Sequence, residues 1–469
     1  MIKFGTDGWR AIISDEFTFE NVRKVASAIA LYLIEHKKTG RPLIIGYDPR
    51  FLADQFAFEV AKVMKDLGIN VLLPDRDTPT PVIAWSVKDK KACGAVMLTA
   101  SHNPPQYCGI KFIPEYAGPA NEEITKEIEE NISSGKKHCA STCDIGEIKH
   151  FKPREKYIDF LSSLIDFSSI KGARLKIIYD SMHGSGRGYT DYILQNLNCN
   201  IESINNFRDV LFGGNNPEPS SELLYNLKEK VKETKADLGL ANDGDADRFG
   251  IVDEAGVYYS ANQIIAMLFE YLLVDKKLKG SVVRTVGTTS MIDEIALLHK
   301  VNIHETPVGF KHIADWMMKE DVIIGGEESG GLSIKGHIPE KDGILANLLV
   351  VEMVAKRKKS LSRIWDDLVL KIGLFKELRK KLALSEDQKN AIIKELGNTS
   401  LKEIEGVKIS EVRKTDGIKV ILKDGSWFLC RPSGTEPVLR IYAESKEEKI
   451  LNGIDSYLKS LVNSNTLVA

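Results

Sequence analysis

Short apolar runs alternate along the chain with longer segments in which apolar residues recur at helical spacing. Residues 43–47 and 69–73 are apolar runs that predict strands, and residues 53–67 between them predict a helix. This order of strand, helix and strand indicates a doubly wound α/β sheet. The run at 93–98 fits a buried strand of the same sheet, and Ile110-Lys111-Phe112 is expected to return antiparallel to it.

The strand–helix alternation begins again twice, and each time a strand leads into a polar loop. Further strands are predicted at 175–179, 199–204, 237–241, 281–284, 302–305 and 322–324, with helices between them. After residue 373, four strand-like segments flank two helices, and Lys423-Asp424-Gly425-Ser426 is typical of a hairpin turn. We therefore expect an α/β protein with three consecutive similar sheet domains and a smaller α+β C-terminal domain. The expected limits are 1–150, 151–255, 256–373 and 374–469, with a polar linker at 135–153.

Composition narrows the class of protein and of ligand. The 469 residues are 43% hydrophobic and 28% charged, which allows large packed cores. The 64 Lys+Arg and 66 Asp+Glu leave a net charge of -2, so nothing attracts nucleic acid or an anionic membrane globally. The longest apolar stretch, residues 344–355, contains Asn347 and Glu352 and predicts a core helix rather than a membrane span. The N-terminus does not resemble a signal peptide, and we expect a cytoplasmic protein.

The cysteines do not predict a disulfide framework. They are scattered as Cys93, Cys108, Cys139, Cys143, Cys199 and Cys430, which is typical of reduced cytosolic thiols. His138, Cys139 and Cys143 leave a zinc site open as an alternative. The stretch lacks a CxxC pair, however, and a solvated loop is the preferred interpretation.

The loop Thr99-Ala100-Ser101-His102-Asn103-Pro104 follows the predicted strand at 93–98. A hydroxyl just past the carboxyl end of such a strand lies where open α/β sheets place their chemistry. An ordinary strand exit remains the alternative for this stretch alone. Near the N-terminus, residues 4–10 form either a hairpin or a loop that aims Arg10 into a site.

Three alternating carboxylates, Asp243, Asp245 and Asp247, follow another predicted strand. Carboxylates this close repel each other unless a cation lies among them, and hard oxygen ligands suit Mg²⁺. An EF-hand loop is a rival interpretation, because Glu254 falls at its twelfth position, but Arg248 occupies the position that needs glycine. A solvated acidic turn without a metal is the third interpretation of these aspartates. Arg248 could hold a phosphate beside the metal.

Two further loops carry groups suited to a sugar phosphate. Glu327 and Ser329 lie two residues apart in a glycine-rich stretch and could bind neighbouring sugar hydroxyls. The stretch from Cys430 to Pro437, with Arg440 beyond it, resembles an anion cradle, although no Walker A lysine follows. The alternative for the first loop is an ordinary glycine-rich turn, and the alternative for the second is a solvated turn.

Taken together, these loops resemble the α-D-phosphohexomutase family, the phosphoglucomutases and phosphomannomutases. The resemblance rests on Thr99-Ala100-Ser101-His102-Asn103-Pro104, Asp243-Gly244-Asp245-Ala246-Asp247-Arg248, Gly326-Glu327-Glu328-Ser329-Gly330 and Arg431-Pro432-Ser433-Gly434-Thr435-Glu436, in this order. It implies four domains around a central cleft. Cys108 is a departure, since family members commonly carry Asn there, and it puts one hydrogen bond of the loop in doubt.

The resemblance also implies a role for each candidate residue. Ser101 would be the phosphoserine and, with Asp243, Asp245 and Asp247, would bind Mg²⁺. Arg10 and Arg248 would line the transfer site, and Lys111 or His102 would act as general acid or base. The expected substrate-binding residues are Glu327, Ser329, Lys341, Arg431, Ser433, Gly434, Thr435 and Arg440.

The implied reaction interconverts hexose 1-phosphate and hexose 6-phosphate through a hexose 1,6-bisphosphate, which also serves as activator. Glucose is the first expectation for the sugar, and mannose or dual specificity is the second. Phosphoglucosamine is the third, because that branch usually shows Gln where this chain has Glu328. A phosphatase and a non-catalytic sugar-phosphate-binding protein are the alternatives from other classes.

Overall fold

The computed structural model describes residues 2–5, 8–135, 145–398, 401–433 and 438–466. The chain divides into two compact units. The first unit comprises Met1–Ser281 and Gly309–Ile364, and the second comprises Val282–Val308 and Trp365–Ala469. Among the described helices, none combines the length and the apolar character that a membrane-spanning segment requires.

A mixed six-stranded sheet opens the first unit. Its strands are β1 (Trp9–Ile12), β2 (Leu43–Tyr47), β3 (Val71–Pro74), β4 (Gly94–Leu98), β5 (Tyr107–Pro114) and β6 (Ile148–Phe151). They lie in the order β1-β5-β4-β2-β3-β6, with β4, β2, β3 and β6 parallel. β5 is antiparallel to both β4 and β1, which confirms the predicted return of Ile110-Lys111-Phe112.

Four helices cover this sheet: α1 (Phe19–Glu35), α2 (Ala53–Asp66), α3 (Thr80–Asp89) and α4 (Glu122–Ser134). The Thr18 side chain accepts a hydrogen bond from the Asn21 amide and so fixes the start of α1. The hydrophobic pattern does not predict α3. From Thr80 to Val87 every residue of this helix is buried, so it has no polar face to produce a helical period.

The predicted linker at 135–153 is partly wrong. β6 lies inside it and pairs in parallel with β3, so this stretch completes the edge of the sheet. β6 has only four residues, and its two apolar residues do not alternate with polar ones, so the sequence carries no strand pattern there. Residues 136–144, with the candidate zinc ligands His138, Cys139 and Cys143, lie outside the described residues.

A second sheet of five strands follows. The strands are β7 (Lys176–Asp180), β8 (Asn200–Ile204), β9 (Leu238–Asn242), β10 (Phe249–Asp253) and β11 (Tyr258–Tyr259), in the order β11-β10-β9-β7-β8. The associated helices are α5 (Arg154–Leu164), α6 (Phe167–Ala173), α7 (Thr190–Asn196) and α8 (Tyr225–Thr234), with a 3₁₀ turn at Phe212–Gly214. β9 and β10 are antiparallel, and the loop that joins them carries the three aspartates.

The next stretch of chain contributes elements to both units. Those of the first unit are α9 (Ala261–Val274), α11 (Phe310–Lys319), β14 (Val322–Gly326), β15 (Leu332–Ile334) and α12 (Gly343–Arg357). The second unit contains α10 (Met291–His299) and β13 (Ile303–Thr306), which is parallel to β12 (Ser281–Thr285). α13 (Leu361–Ile372) closes this stretch.

α12 is the core helix predicted from the longest apolar stretch, and its residues from Gly343 to Ala355 are buried. The two polar residues of this buried stretch have partners inside the first unit. Asn347 donates to the carbonyl of Ala241 at the end of β9, and Glu352 accepts a hydrogen bond from Lys276. A buried polar group is tolerated when it is hydrogen-bonded, as Glu352 and the Asn347 Nδ2 group are, whereas Asn347 Oδ1 is buried without a hydrogen-bond partner among the described residues.

The C-terminal part is the expected α+β domain. Its elements are β16 (Lys376–Ala383), α14 (Glu386–Gly397), β17 (Glu403–Ile404), β18 (Val407–Arg413), β19 (Ile418–Leu422), β20 (Trp427–Pro432), β21 (Val438–Ser445) and α15 (Glu448–Thr466). The antiparallel sheet has the order β16-β21-β20-β19-β18-β17. β16 escapes prediction because it is a highly charged edge strand, a common device against edge-to-edge association.

Candidate functional site

The Ser101 loop leaves the carboxyl end of β4 and leads into β5. Ser101 is buried, and its backbone is left-handed, with φ at 50°. Its N–H donates to Thr99 Oγ1 over 2.8 Å, and its hydroxyl donates to Asp243 Oδ2 over 2.7 Å. The fold therefore places the candidate serine against the first of the three aspartates.

Asp243, Asp245 and Asp247 occupy the turn between β9 and β10, and all three are fully buried. Each offers a carboxylate oxygen within 4.8 Å of the others. Because the flanking elements are antiparallel strands, this is not a helix–loop–helix, and the EF-hand interpretation is wrong.

The aspartate cluster fits a hard divalent cation. Within the described part of the chain, Asp245 Oδ1 and Asp247 Oδ1 are buried and accept no hydrogen bond. A buried carboxylate oxygen without a donor is costly unless a cation binds it. Burial raises the pKa of Asp243 well above its ordinary value, and the charges of Asp247 and Asp245 raise it further. A metal ion would relieve this repulsion.

Two lysines contact the cluster. Lys111 Nζ lies 3.2 Å from both Asp245 Oδ2 and Asp247 Oδ2, and Lys341 Nζ lies 3.4 Å from Asp247 Oδ2. Burial by itself would raise the pKa of Asp247, but Lys111, Lys341 and Arg248 outweigh it and hold that pKa below its ordinary value. This carboxylate therefore stays charged, next to cations that can also face a phosphate.

Arginine and histidine side chains flank the serine. Arg10, on β1, donates from Nη1 to Asn103 Oδ1 over 2.7 Å and so contacts the Ser101 loop directly. The ring Nδ1 of His102 lies 3.4 Å from Ser101 Oγ. Arg248 donates from its backbone N–H to Asp243 Oδ1 over 3.0 Å. Of the opening loop, Thr6 and Asp7 lie outside the described residues.

The candidate sugar loop joins β14 to β15. Glu327 is buried, and its Oε1 accepts a hydrogen bond from the Gly309 amide over 3.0 Å. Ser329 lies at the tip of the turn and is exposed. A Cβ added at Gly331 would lie 2.4 Å from Cδ of Lys341, so this glycine leaves the space through which the lysine reaches Asp247.

The second unit carries the candidate phosphate loop between β20 and β21. Arg431 and Arg440 pair across the two strands, and Ser433 donates its backbone N–H to the Val438 carbonyl over 2.9 Å. Arg431 Nε donates to Asp416 Oδ2 over 2.7 Å. Gly434 and Thr435 lie outside the described residues, so their predicted contacts remain predictions.

Several supporting residues escape sequence reasoning. Thr80 Oγ1 donates to Asp245 Oδ2 over 2.6 Å, and Arg50 and Asp48 lie buried against the Ser101 loop. The only sequence signal is that Asp48-Pro49-Arg50 stands at a strand end. Cys108 is fully buried, and burial raises the pKa of its thiol far above the ordinary value, so it offers no reactive thiolate.

Models of protein families match all four parts of the chain. They describe the phosphoglucomutase/phosphomannomutase α/β/α domain I at residues 1–138, domain II at 155–256, domain III at 260–372 and the C-terminal domain at 376–459. The observed α/β and α+β succession agrees with these matches, which confirms the predicted fold class.

Relatives of similar length carry two kinds of name. The chain is 33% identical over 447 residues to the phosphoglucomutase/phosphomannomutase of Thermococcus kodakarensis, covering 95% of each. It is 31% identical over 468 residues to the phosphoglucosamine/phosphogalactosamine mutase of Sulfurisphaera tokodaii, covering 98% of each. A crystal structure from Thermus thermophilus superposes with a TM-score of 0.86 at 31% identity, covering 98% of this chain and 99% of that one.

Proposed function

The chain belongs to the phosphoglucomutase/phosphomannomutase family, and from this premise we propose that it moves a phosphoryl group between the two ends of a hexose phosphate through Ser101. The family consists of phosphohexomutases, intramolecular phosphotransferases that act on hexose phosphates. The observation that carries the proposal is the hydrogen bond of 2.7 Å between Ser101 Oγ and Asp243 Oδ2, at the edge of a carboxylate cluster that could hold a metal ion.

In the proposed cycle, phospho-Ser101 first gives its phosphoryl group to the free hydroxyl of a hexose monophosphate. The bond from phosphorus to Ser101 Oγ breaks and a bond from phosphorus to the sugar oxygen forms. The proton of the sugar hydroxyl passes to a general base, and the departing Ser101 Oγ takes a proton from a general acid. The product is a hexose 1,6-bisphosphate. After this intermediate turns over, Ser101 takes the other phosphoryl group, and the isomeric monophosphate leaves.

Charge neutralisation and alignment supply most of the rate in phosphoryl transfer. Asp243, Asp245 and Asp247, with an oxygen of phospho-Ser101, would hold Mg²⁺, which when bound neutralises charge on the transferred group. Lys111 and Arg248 stand beside the same carboxylates and would face the phosphoryl oxygens. Within the described residues, the orphaned oxygens of Asp245 and Asp247 support this assignment.

Two residues are candidates for the general acid and base. His102 Nδ1 lies 3.4 Å from Ser101 Oγ, whereas Lys111 is engaged with two carboxylates. His102→Gln and Lys111→Met separate the two. If His102 is the general base, the limb of the pH–rate profile that reports the base disappears in His102→Gln and stays in Lys111→Met. If Lys111 is the base, the result is the reverse.

The remaining candidates bind the sugar and the phosphate that is not transferred. We assign sugar hydroxyls to Glu327 and Ser329, and the resting phosphate to the loop with Arg431, Ser433, Gly434, Thr435 and Arg440. The planar fork of arginine binds phosphate with two hydrogen bonds, which supports Arg431 and Arg440 in this role. Lys341 completes the set on the side of Asp247.

Glucose phosphates are the proposed substrates, followed by mannose phosphates or both. The combination of Glu327-Glu328-Ser329-Gly330 with Glu340-Lys341-Asp342-Gly343 supports glucose. The name of the Sulfurisphaera relative supports an amino sugar phosphate as the third candidate. Glu328 is buried in this chain, where the phosphoglucosamine branch usually has Gln, and this difference opposes that candidate.

A ³¹P spectrum tests the proposal directly. The enzyme with Mg²⁺ and a trace of the matching 1,6-bisphosphate is incubated with the 1-phosphate of glucose, mannose or glucosamine. We expect the 6-phosphate signal to grow fastest with glucose. Release of inorganic phosphate without isomerisation would instead identify a phosphatase.

Ser101→Ala is the decisive variant. It should abolish isomerisation while the protein still binds the sugar phosphate, because only the nucleophile is lost. Turnover close to that of the wild type would remove Ser101 from the reaction. Ser27→Ala, a matched serine on the exposed face of α1, should keep full turnover.

A further inference from the structure

Arg50 is completely buried against the loop that carries Ser101. It lies between β2 and α2, two residues after Asp48. Its five N–H groups donate from Nε to Asp48 Oδ2 (3.0 Å), from Nη1 to the carbonyls of Pro104 (2.8 Å) and Tyr107 (2.9 Å), and from Nη2 to the carbonyls of Ser101 (2.7 Å) and Asn103 (2.8 Å). One side chain therefore ties together four carbonyls of a single loop.

The chemistry of guanidinium suits this task. Its donors lie in one rigid plane, so four acceptors are held in a fixed relation to each other. A lysine ammonium in the same place would keep the charge beside Asp48 but would offer three donors without a fixed plane. The shape of the loop thus depends on the arginine fork as well as on the charge.

Ser101 needs this support because its backbone is left-handed, with φ at 50°. Residues other than glycine rarely adopt this conformation, because their Cβ clashes with the backbone. It persists where surrounding contacts stabilise it. Thr99 adds a second tie, since Thr99 Oγ1 donates to Asp48 Oδ2 over 2.6 Å and accepts from the Ser101 amide over 2.8 Å. Arg50 and Thr99 thus anchor the loop through the same carboxylate.

The guanidinium of Arg50 also lies over the ring of Phe212. The ring centroid lies 5.0 Å from Cζ of Arg50, and Phe212 is itself buried. A buried aromatic contact of this kind favours a cation over the ring face.

We propose that Arg50 is a positioning residue for the transfer step, which holds the Ser101 loop in one conformation so that the hydroxyl returns to the same place at Asp243 after each transfer. The inference rests on the proposed function, because that reaction requires Ser101 both to give and to take back a phosphoryl group. Arg50 reaches the serine through backbone carbonyls rather than through the reacting oxygen.

A Ser101 loop that samples several conformations should lower the rate of transfer more than it lowers sugar binding, because transfer depends steeply on the position of the attacking oxygen. The effect should therefore fall on kcat rather than on KM. A mobile loop should also let the hexose bisphosphate dissociate before Ser101 takes its phosphoryl group. A variant with such a loop should therefore depend on added bisphosphate.

The test compares Arg50→Lys with Arg284→Lys in the full-length protein. Arg284 is also buried and paired, with Asp293 and Glu305, but it is bonded to neither the Ser101 loop nor Asp48 in the described hydrogen bonds. Hydrogen exchange at the amides of Ser101, Asn103 and Tyr107 is measured without substrate. Steady-state kcat, KM and the half-saturating bisphosphate concentration are then measured with glucose 1-phosphate.

We expect these loop amides to exchange at least 10-fold faster in Arg50→Lys, while amides in α1 and β9 stay within twofold of the wild type. The kcat should fall at least 10-fold, KM should stay within about threefold, and the bisphosphate requirement should rise. Arg284→Lys should leave the exchange of the loop unchanged.

Unchanged loop exchange in Arg50→Lys, or equal acceleration throughout the chain, overturns the inference. If Arg50→Lys does not fold, Thr99→Val tests the same anchor without altering the buried arginine, and unchanged loop exchange there overturns it as well. The exchange measurement needs no substrate. A wild type that isomerises no hexose phosphate would therefore refute the proposed function separately.

Discussion

Ser101 Oγ donates a hydrogen bond to Asp243 Oδ2 across 2.7 Å, although the two residues are separated by 142 positions in the chain. The contact joins the exit of β4 in the first sheet to the β9–β10 turn of the second. Taken alone, the Ser101 loop could be an ordinary strand exit, and the Asp243 loop could be a solvated acidic turn. Their contact places a hydroxyl at a cluster of buried carboxylates, and the predictions below depend on this arrangement.

Removing one aspartate should stabilise the metal-free protein and abolish its response to Mg²⁺. Asp243→Asn removes a buried carboxyl whose charged form is disfavoured by burial and by Asp247 and Asp245, so we expect the melting temperature without metal to rise by roughly 2 °C or more. Saturating Mg²⁺ should raise the melting temperature of the wild type, because it binds only the folded state. The variant should show no such increase in a thermal shift assay.

Asp209→Asn is the matched control for the aspartate cluster. Asp209 accepts hydrogen bonds from the Leu211 and Gly213 amides in the same unit and is not part of the cluster. Its Mg²⁺ response should equal that of the wild type. A Mg²⁺ response retained in Asp243→Asn would place the cation elsewhere.

Gly331→Ala should lower turnover by displacing Lys341. The added Cβ would lie 2.4 Å from Lys341 Cδ, so the lysine stem must move, and we expect its ammonium to be drawn away from Asp247. A displacement of this size should reduce kcat by roughly 10- to 100-fold. Initial rates of isomerisation measure the effect.

A double-mutant cycle shows whether the lysine mediates this loss. In a Lys341→Ala background, Gly331→Ala should cause almost no additional loss, because the clash is gone. A Cβ added at Gly172, on α6, has no atom of the described residues within 4 Å beyond its chain neighbours and its own helix backbone, so Gly172→Ala should retain full turnover. Additive losses in the double variant would show that Gly331 acts through the backbone instead.

Asp416→Asn should weaken binding of the phosphate group that is not being transferred. Asp416 Oδ2 accepts hydrogen bonds from Arg431 Nε over 2.7 Å and from the Val308 amide over 2.9 Å. Losing a charge-assisted bond leaves Arg431 less well oriented, so KM for the sugar phosphate should rise about 10-fold with a smaller change in kcat. Inorganic phosphate should become a weaker competitive inhibitor by a similar factor.

Glu411→Gln is the control for this residue, since Glu411 pairs with Arg413 at the surface of the same unit. Its KM should match that of the wild type. An unaltered KM in Asp416→Asn would show that Arg431 does not depend on this carboxylate.

Glu305 should make the second unit sensitive to acid. Burial by itself would raise the pKa of Glu305, but Arg284 and Lys419 lower it to about 2, with the carboxylate 2.6 Å from Arg284 Nη1 and 3.0 Å from Lys419 Nζ. A pKa that is lowered on folding contributes stability above the unfolded value. That contribution is lost as the pH falls from about 4.5 towards 2.

Glu305→Gln should therefore reduce the urea midpoint at pH 7 by an amount equivalent to about 3 kcal/mol or less. The difference from the wild type should shrink steadily below pH 4.5. Glu294→Gln, which breaks the exposed pair with Lys446, should change little at either pH. A wild-type–variant difference that does not vary with pH would contradict the assigned pKa shift.

Much of the fold follows from local pattern. The buried strands β2, β4 and β9 are short apolar runs, and helices such as α9 and α12 are long apolar segments, so their signals survive without tertiary information. The four loops are visible for the same reason, because each stands at the end of such a run. The domain limits and the roles of the individual site residues remain predictions.

The elements that escaped prediction lack a local signal. α3 is buried on all sides, β16 is a charged edge strand, and β6 is a short strand inside a polar stretch. Each forms because a neighbouring element covers or pairs with it. Propensity summed along the chain cannot contain that information.

The sequence by itself determined the class of fold, the family and the chemical groups available at the strand ends. Only the tertiary structure decided which of these groups meet: that Lys111 and Lys341 converge on Asp247, and that Arg50 binds the carbonyls around Ser101. The reason is physical. Strand and helix formation depend on residues a few positions apart, whereas a buried charge finds its partner only when distant segments are packed together.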